Sequence, residues 1–336
     1  MRFWARLLRS GLEVLIRLLE GFGARGVRFE WKKQAWRQAL DRRIAHWENV
    51  ARGVRARMRM CRSCRQLVDR SLAICPACGG SLRGVPGGGF GRALRLLLPG
   101  TGTVTMLLIT VNVIMSLLMY ATWGASPEQL GLLGLLAPPW QALFLFGEKS
   151  TPAILSGQIW RLVTANYLHG GIVHLLFNCY ALVSLGPLIE DSFGGRKLFL
   201  IYSLTGDASF ATSALFHPRV PSVGASGALF GILGFAIVFG RFRSGRSGRA
   251  IADQLTRYLI FMALLFLIPG IDNAAHIGGL VSGAALGLVL DAGEPRTPAG
   301  NLALNLLTAA AVLATVGSFL AMGLSYDANL RFIGRG

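Results

Sequence analysis

Residues 224–231 read Gly-Ala-Ser-Gly-Ala-Leu-Phe-Gly and lie at the start of an apolar stretch that continues to about residue 239. A second apolar stretch opens with His276. Polar side chains cost free energy in hydrocarbon, so a serine and a histidine at the mouths of two hydrophobic segments indicate function. The pair predicts a nucleophile, Ser226, and a general base, His276, inside a lipid bilayer.

The composition divides the chain into a basic front and an apolar body. Of 336 residues, 53% are hydrophobic and 15% are charged, with a mean hydropathy of +0.51, which is too apolar for an ordinary soluble protein. Residues 1–98 carry 21 Lys+Arg against 6 Asp+Glu, whereas the remainder carries 13 against 10. We therefore expect a water-facing front followed by a membrane-embedded body.

Residues 1–57 are predicted to be basic, amphipathic helical segments in the cytoplasm. Polar residues recur every three or four positions over residues 2–20, and arginines interrupt the apolar ones, so no signal peptide is expected. The first helix could lie on an anionic membrane surface or pack against the front domain itself, and both alternatives stay open. Nearby anionic lipid explains the basic residues over 36–54, and nucleic acid is not an expected partner.

Four cysteines predict a zinc-ribbon-like module over residues 58–85. They occur as two Cys-x-x-Cys pairs with ten residues between them, Cys61 with Cys64 and Cys75 with Cys78. Two such pairs supply the four thiolates of a closed, structural Zn²⁺ site. Disulfides or redox motifs are the alternatives, and the reducing cytoplasm disfavours them. The sequence does not identify a binding partner for this module. A Gly/Arg-rich linker follows over residues 86–101.

The apolar body, residues 102–324, is predicted to cross the membrane seven times. A pass needs about 20 mostly apolar residues, and the candidates are 103–123, 172–189, 198–216, 223–239, 258–271, 274–290 and 302–324, followed by a short tail over 325–336. The placement of Lys and Arg puts the front inside and the C-terminus outside. Passes two, four and six then run inward, so His174, Ser226 and His276 lie near their outer ends. The intervening segment 124–171 is predicted as an interfacial or partly embedded loop.

Glycine spacing predicts how the two reactive groups meet. Gly227, Gly231 and Gly234 lie on one helix face, which by itself indicates only close helix packing. His276, Gly279 and Gly283 also share a face, so their helix can approach a neighbour while directing the imidazole toward it. If that neighbour carries Ser226, the base can activate the hydroxyl.

A second polar group lies on the pass that begins near residue 172. His174 and Asn178 are four residues apart, and both can donate hydrogen bonds to a developing oxyanion. Polar contacts between helices are the alternative. His169 precedes them and is predicted to line the same water-accessible cavity.

The full set of motifs is more specific than any one of them. In order, the chain contains Trp160-Arg161, His169, His174-Leu-Leu-Phe-Asn178, Glu190-Asp-Ser-Phe-Gly194, the 224–231 segment and Ala275-His276-Ile-Gly-Gly279-Leu-Val-Ser-Gly283. This set resembles the rhomboid family of intramembrane serine proteases over roughly residues 103–324. The resemblance implies an all-α polytopic bundle with seven transmembrane helices in a 6+1 arrangement.

The resemblance also implies a role for individual residues. Ser226 is the nucleophile and His276 the base of a dyad, and His174, Asn178 and backbone N–H groups near Ser226 form the oxyanion site. Trp160-Arg161 and Glu190 match structural positions. Phe230 stands where some members carry a tyrosine that stacks on the histidine, and a phenyl ring can still stack. No role is assigned to Asp207, and a dyad is simpler than a triad with Asp272.

The resulting hypothesis is an endopeptidase that cleaves peptide bonds in or near transmembrane helices of other membrane proteins. No cofactor is needed for this chemistry. The expected location is the plasma (cell inner) membrane, with the active site opening toward the outer face. Two alternatives are a rhomboid-like protein that binds membrane clients without cutting them, and a transporter or proton channel with histidines as relay groups.

Overall fold

The structure is a computed structural model that divides the chain into two compact units, Met1–Arg83 and Gly84–Gly336. It describes residues 9–10, 12–14, 16–17, 20, 26, 29–41, 58–60, 67–69, 72, 74–76, 102–123, 137–262, 270–292, 295 and 297–334.

The described part of the first unit contains two helical segments joined by ion pairs. The described residues between 9 and 20 are helical, and a second helix covers 29–41. Its side chains pair with the first segment through Arg9–Asp41, Lys33–Glu20 and Arg37–Glu13. Ile16 is buried. These contacts agree with the alternative in which the first helix packs against its own front unit.

A short antiparallel hairpin also belongs to the first unit. Strand β1 (Met58–Met60) pairs with β2 (Leu67–Asp69), with Met60 opposite Leu67. Cys61 directly follows β1, but Cys61, Cys64 and Cys78 lie outside the described residues, whereas Cys75 is buried. The zinc site therefore stays a prediction.

The described secondary structure of the second unit is helical apart from an isolated antiparallel bridge between Lys149 and Ser222. Its helices are α1 (Thr103–Trp123), α2 (Trp140–Leu145), α3 (Thr151–Leu155), α4 (Arg161–Thr164) with a 3₁₀ turn (Ala165–Tyr167), α5 (Ile172–Phe193), α6 (Gly195–Phe216), α7 (Ser226–Phe242), α8 (Arg246–Met262), α9 (Asn273–Val289) and α10 (Pro298–Ile333). Among them, α1, α5, α6 and α10 are long and apolar enough to cross a membrane, and α7 and α9 are shorter apolar helices.

Two predicted passes differ from the helices observed. Residues 258–262 form the end of α8, which already begins at Arg246, and residues 263–269 lie outside the described part. The count of seven passes therefore stays a prediction. The last helix ends at Ile333 and not at residue 324, so most of the predicted tail is helical. This extension persists because Asn329 is buried against Gln158 and Phe332 stacks on Phe144.

Helix α7 lies in the core and packs closely against α9. A Cβ atom at Gly279 would collide with the carbonyl oxygen of Gly227, and one at Gly283 would collide with that of Gly231. Only glycine permits backbones to approach so closely. We call this contact the glycine seam. It brings the first turns of the two helices together.

Glu190, at the end of α5, caps the start of α1. Its carboxylate accepts the backbone N–H groups of Val104 and Thr105, each at 2.9 Å, and the Thr105 hydroxyl at 2.8 Å. The first N–H groups of a helix have no partner within the helix, so an acceptor is required where they are buried. Glu190 therefore has the structural position that the resemblance implied.

Arg161 organises the segment formed by residues 137–171, directly before α5. Its side chain is fully buried and donates to Gln158 Oε1 and to the carbonyls of Phe144 and Glu148. The guanidinium also lies over the rings of Phe144 and Trp160, at 4.3 and 4.8 Å. Hydrogen bonds and cation–π contacts together offset its desolvation. This segment is consequently a folded substructure, which positions the loop before α7.

Candidate active site

Ser226 and His276 meet at the starts of two helices. Ser226 is the first residue of α7, and His276 lies in the first turn of α9. The distance from His276 Nε2 to Ser226 Oγ is 2.9 Å. The glycine seam runs directly behind this pair, since Gly227 contacts Gly279. A hydroxyl bonded to an imidazole nitrogen is the arrangement that activates a serine nucleophile.

Phe230 supports the imidazole from one side. It lies one turn after Ser226 on α7, and its ring stacks on His276 with a centroid distance of 4.5 Å and an interplanar angle of 21°. Stacking restricts rotation of the imidazole without adding a hydrogen bond. The phenyl ring thus supplies the platform expected of this position, without the tyrosine hydroxyl.

The turn that precedes the nucleophile depends on Gly224. This residue has φ +130°, and a Cβ there would lie 2.7 Å from His174 Cε1 and 2.8 Å from Nε2. Positive φ and the close approach both require glycine. The Gly224 N–H donates to the Ala165 carbonyl at 2.9 Å, which ties the turn to the 3₁₀ segment.

His174 presents its Nε2 edge to this turn. The Gly170 N–H donates to His174 Nδ1 at 3.4 Å. Because Nδ1 accepts, the proton of a neutral imidazole resides on Nε2. The same Cβ position at Gly224 lies 3.7 Å from Ser226 Oγ. His174 therefore presents an N–H donor beside the nucleophile.

Comparison with known proteins finds similar sequences. Residues 156–292 match the Rhomboid domain. This match supports assignment of the chain to the rhomboid family. The chain is 34% identical over 230 residues to "Rhomboid protease GluP" of Bacillus subtilis, covering 67% of this chain and 41% of that protein. It is 36% identical over 159 residues to "RHOMBOID-like protein 6, mitochondrial" of Arabidopsis thaliana, covering 46% of this chain and 52% of that protein.

The family also includes a relative whose name denies activity. "Inactive RHOMBOID-like protein 8" of Arabidopsis thaliana is 34% identical over 154 residues, covering 44% of this chain and 43% of that protein. The chain thus spans about half or less of the length of these relatives. The rhomboid domain and the apolar helices together indicate a multi-pass membrane protein.

Two further predicted residues of the rhomboid domain lie close to His174. Asn178 is buried, and its Nδ2 donates to the His174 carbonyl at 2.9 Å, one turn back on α5. Its second amide hydrogen remains for another acceptor. His169 is also buried and packs edge-on against His174, with ring centroids 5.1 Å apart. His174 therefore contacts both residues and also approaches the Gly224 turn.

Asp272 caps α9 through its carboxylate. Its carboxylate accepts the Ala275 N–H at 3.2 Å, the Ser213 hydroxyl, and a contact from His217 Nδ1 at 3.3 Å. Its backbone carbonyl accepts the His276 N–H at 3.2 Å. These contacts are typical of a helix cap.

Sequence reasoning assigned no role to Asp207 and missed its partner. Asn166 Nδ2 donates to Asp207 Oδ1 at 3.1 Å, and the Tyr202 hydroxyl donates to the Asn166 carbonyl at 3.0 Å. Both contacts join the 3₁₀ turn to α6. Asp207 therefore helps to hold the segment on which the Gly224 turn rests.

Proposed function

We propose that this protein is an intramembrane serine endopeptidase of the rhomboid type. The observation that carries the proposal is the 2.9 Å contact between Ser226 Oγ and His276 Nε2, with Phe230 stacked on the imidazole. His276 accepts the Ser226 proton as Oγ attacks the carbonyl carbon of the scissile bond. The same proton passes to the leaving amine as the C–N bond breaks, and water then hydrolyses the acyl-enzyme.

The transition state would be stabilised from the His174 side. Attack places negative charge on the former carbonyl oxygen, and donors already aimed at that position supply the largest electrostatic contribution. We assign this role to His174 Nε2–H, to backbone N–H groups near Ser226 and to the second amide hydrogen of Asn178. The position of His174 against Gly224 is the observation that supports this assignment.

The proposed substrates are transmembrane helices of other membrane proteins. A helix has its backbone hydrogen bonds satisfied, so it must unwind before a carbonyl reaches Ser226. Substrates should therefore carry helix-weakening residues near the membrane face at which α7 and α9 begin, with a small residue at the cut. We further propose that this is the outer face of the plasma membrane, with the N-terminus in the cytoplasm, from the distribution of Lys and Arg.

A non-catalytic client-binding protein is the second candidate, because an inactive relative exists. Two features favour the enzyme. The chain carries both Ser226 and His276, and the two side chains are within hydrogen-bonding distance.

The experiment compares the full chain with three variants in detergent and in liposomes. Wild type should react with a fluorophosphonate probe and cleave a transmembrane test substrate. Ser226→Ala and His276→Ala should each lose at least about 1,000-fold in kcat. Ser282→Ala removes a hydroxyl that bonds only helix carbonyls of α9 in the described structure, and it should keep wild-type activity. Cleavage by Ser226→Ala at the wild-type rate would refute the assignment.

We also propose a structural Zn²⁺ on Cys61, Cys64, Cys75 and Cys78. The burial of Cys75 and the position of Cys61 directly after β1 fit a ligand set gathered around a small hairpin. Four thiolates would close the coordination sphere and stabilise the fold of this module. The ion would have no part in the Ser226 chemistry.

A further inference from the structure

Asp272, Ser213 and His217 are linked near the start of α9 by contacts that the Ser226–His276 pair does not require. Asp272 precedes His276 by one turn, and its carbonyl accepts the His276 N–H. Its carboxylate reaches across to α6, where the Ser213 hydroxyl donates to it, and to His217, which directly follows α6. The direction of the first turn of α9, and with it the imidazole, is thereby tied to the end of α6.

Lys149 holds the loop between α6 and α7, residues 217–225, from its other side. Its side chain is fully buried, and Nζ donates to the carbonyls of His217 and Val220 at 2.7 and 2.8 Å. The backbones of Lys149 and Ser222 also exchange two hydrogen bonds, at 2.9 and 3.2 Å. The loop held in this way leads within a few residues to Gly224 and Ser226. Lys149 therefore restrains the approach to the nucleophile.

Lys149 and Asp272 are both buried and carry opposite charges. Burying an isolated ammonium or carboxylate is costly, whereas opposite buried charges near one another offset part of that cost. Burial lowers the pKa of Lys149, and the Asp272 carboxylate opposes that shift. His217 connects the two residues, because Lys149 contacts its carbonyl and Asp272 contacts its ring.

We propose that Lys149, His217 and Asp272 form a clamp that positions the general base His276 against Ser226. The clamp joins the loop before the nucleophile to the helix that carries the base. These are positioning residues, since none of them touches the reacting atoms. The inference rests on the proposed peptidase function and adds a determinant of its rate. Because a displacement of about 1 Å can cost about 100-fold in rate, loss of the clamp should lower kcat and leave substrate affinity nearly unchanged.

A matched control separates positioning from simple helix capping. Thr297 caps α10 through the same kind of bond, from the Gly300 N–H to its side chain at 3.0 Å, on an exposed residue. Thr297→Ala should lower the Tm and keep the wild-type kcat. Asp272→Ala should lower kcat and the rate of fluorophosphonate labelling of Ser226 by about 10- to 100-fold, with KM changed less than about twofold.

Two further variants complete the test in liposomes. Asp272→Asn keeps an oxygen for the Ala275 N–H and should recover part of the lost kcat. Lys149→Met removes the buried cation and should lower kcat with KM unchanged. If Asp272→Ala does not fold, the kcat values of these two variants test whether the clamp positions His276. Wild-type kcat and labelling rates in both would overturn the clamp, as would equal kcat losses in Thr297→Ala and Asp272→Ala. A wild-type protein that neither labels nor cleaves would instead refute the peptidase itself, and the clamp would fall with it.

Discussion

A methyl group at Gly279 perturbs the glycine seam at the turn nearest Ser226 and His276. Its Cβ would collide with the Gly227 carbonyl oxygen, which must retreat by about 1 Å to reach the 3.0 Å below which real Cβ contacts essentially never occur. Because this oxygen belongs to helix backbone, α7 and α9 would have to separate. The Ser226–His276 contact, 2.9 Å in the structure, would then exceed hydrogen-bonding range. We expect Gly279→Ala to lose about 100-fold in kcat and about 1–3 kcal/mol of stability.

The assay measures kcat on a transmembrane test substrate, fluorophosphonate labelling of Ser226 and thermal unfolding in the same detergent. Gly283→Ala, which collides with the Gly231 carbonyl one turn further along, should show a loss of stability and activity of the same kind. Gly323→Ala on α10 is the control, since no atom lies within 4 Å of its Cβ position. It should retain wild-type kcat. If Gly279→Ala cleaves as fast as Gly323→Ala, the seam does not set the distance between nucleophile and base.

Three other predictions concern the surroundings of the dyad. Phe230→Leu should lower kcat by up to about 10-fold while Phe230→Tyr stays near wild type, because stacking of an aromatic ring is worth about 0.5–1.5 kcal/mol; equal rates in steady-state cleavage would contradict the platform role. Glu190→Ala should lower the free energy of unfolding by about 3 kcal/mol, since it leaves N–H groups in the first turn of α1 without an acceptor. An unchanged midpoint in a denaturant titration would contradict this capping role. Chelation of zinc, or Cys61→Ser with Cys64→Ser, should unfold residues 58–85 in limited proteolysis and spare cleavage in detergent; lost catalysis with an intact membrane domain would show that the module is not accessory.

Much of the candidate site can be predicted from short stretches of the sequence. Helical periodicity puts Gly227 and Gly231 on one face of a helix and puts His276, Gly279 and Gly283 on one face of another. The structure packs these two faces against each other. Hydropathy also predicts most of the helices, because a run of apolar residues is a property of neighbours in the chain.

The boundaries that sequence reasoning missed depend on distant partners. Hydropathy ends the last pass near residue 324, yet α10 continues because Asn329 meets Gln158 from a segment far away in sequence. A local contact also modifies one prediction: the spacing makes Asn178 a candidate donor, and the structure shows one of its amide hydrogens used within α5, on the His174 carbonyl.

The sequence alone determined which residues are candidates for the proposed chemistry and which helix faces can approach closely, because residue type and the 3.6-residue period are local quantities. Only the tertiary structure decided that Asp272 faces Ser213 and His217 as a cap, and that Lys149 is buried beneath the loop that leads to Ser226. A side chain's partners across helices follow from the packing of the whole chain, and no spacing along one segment encodes them.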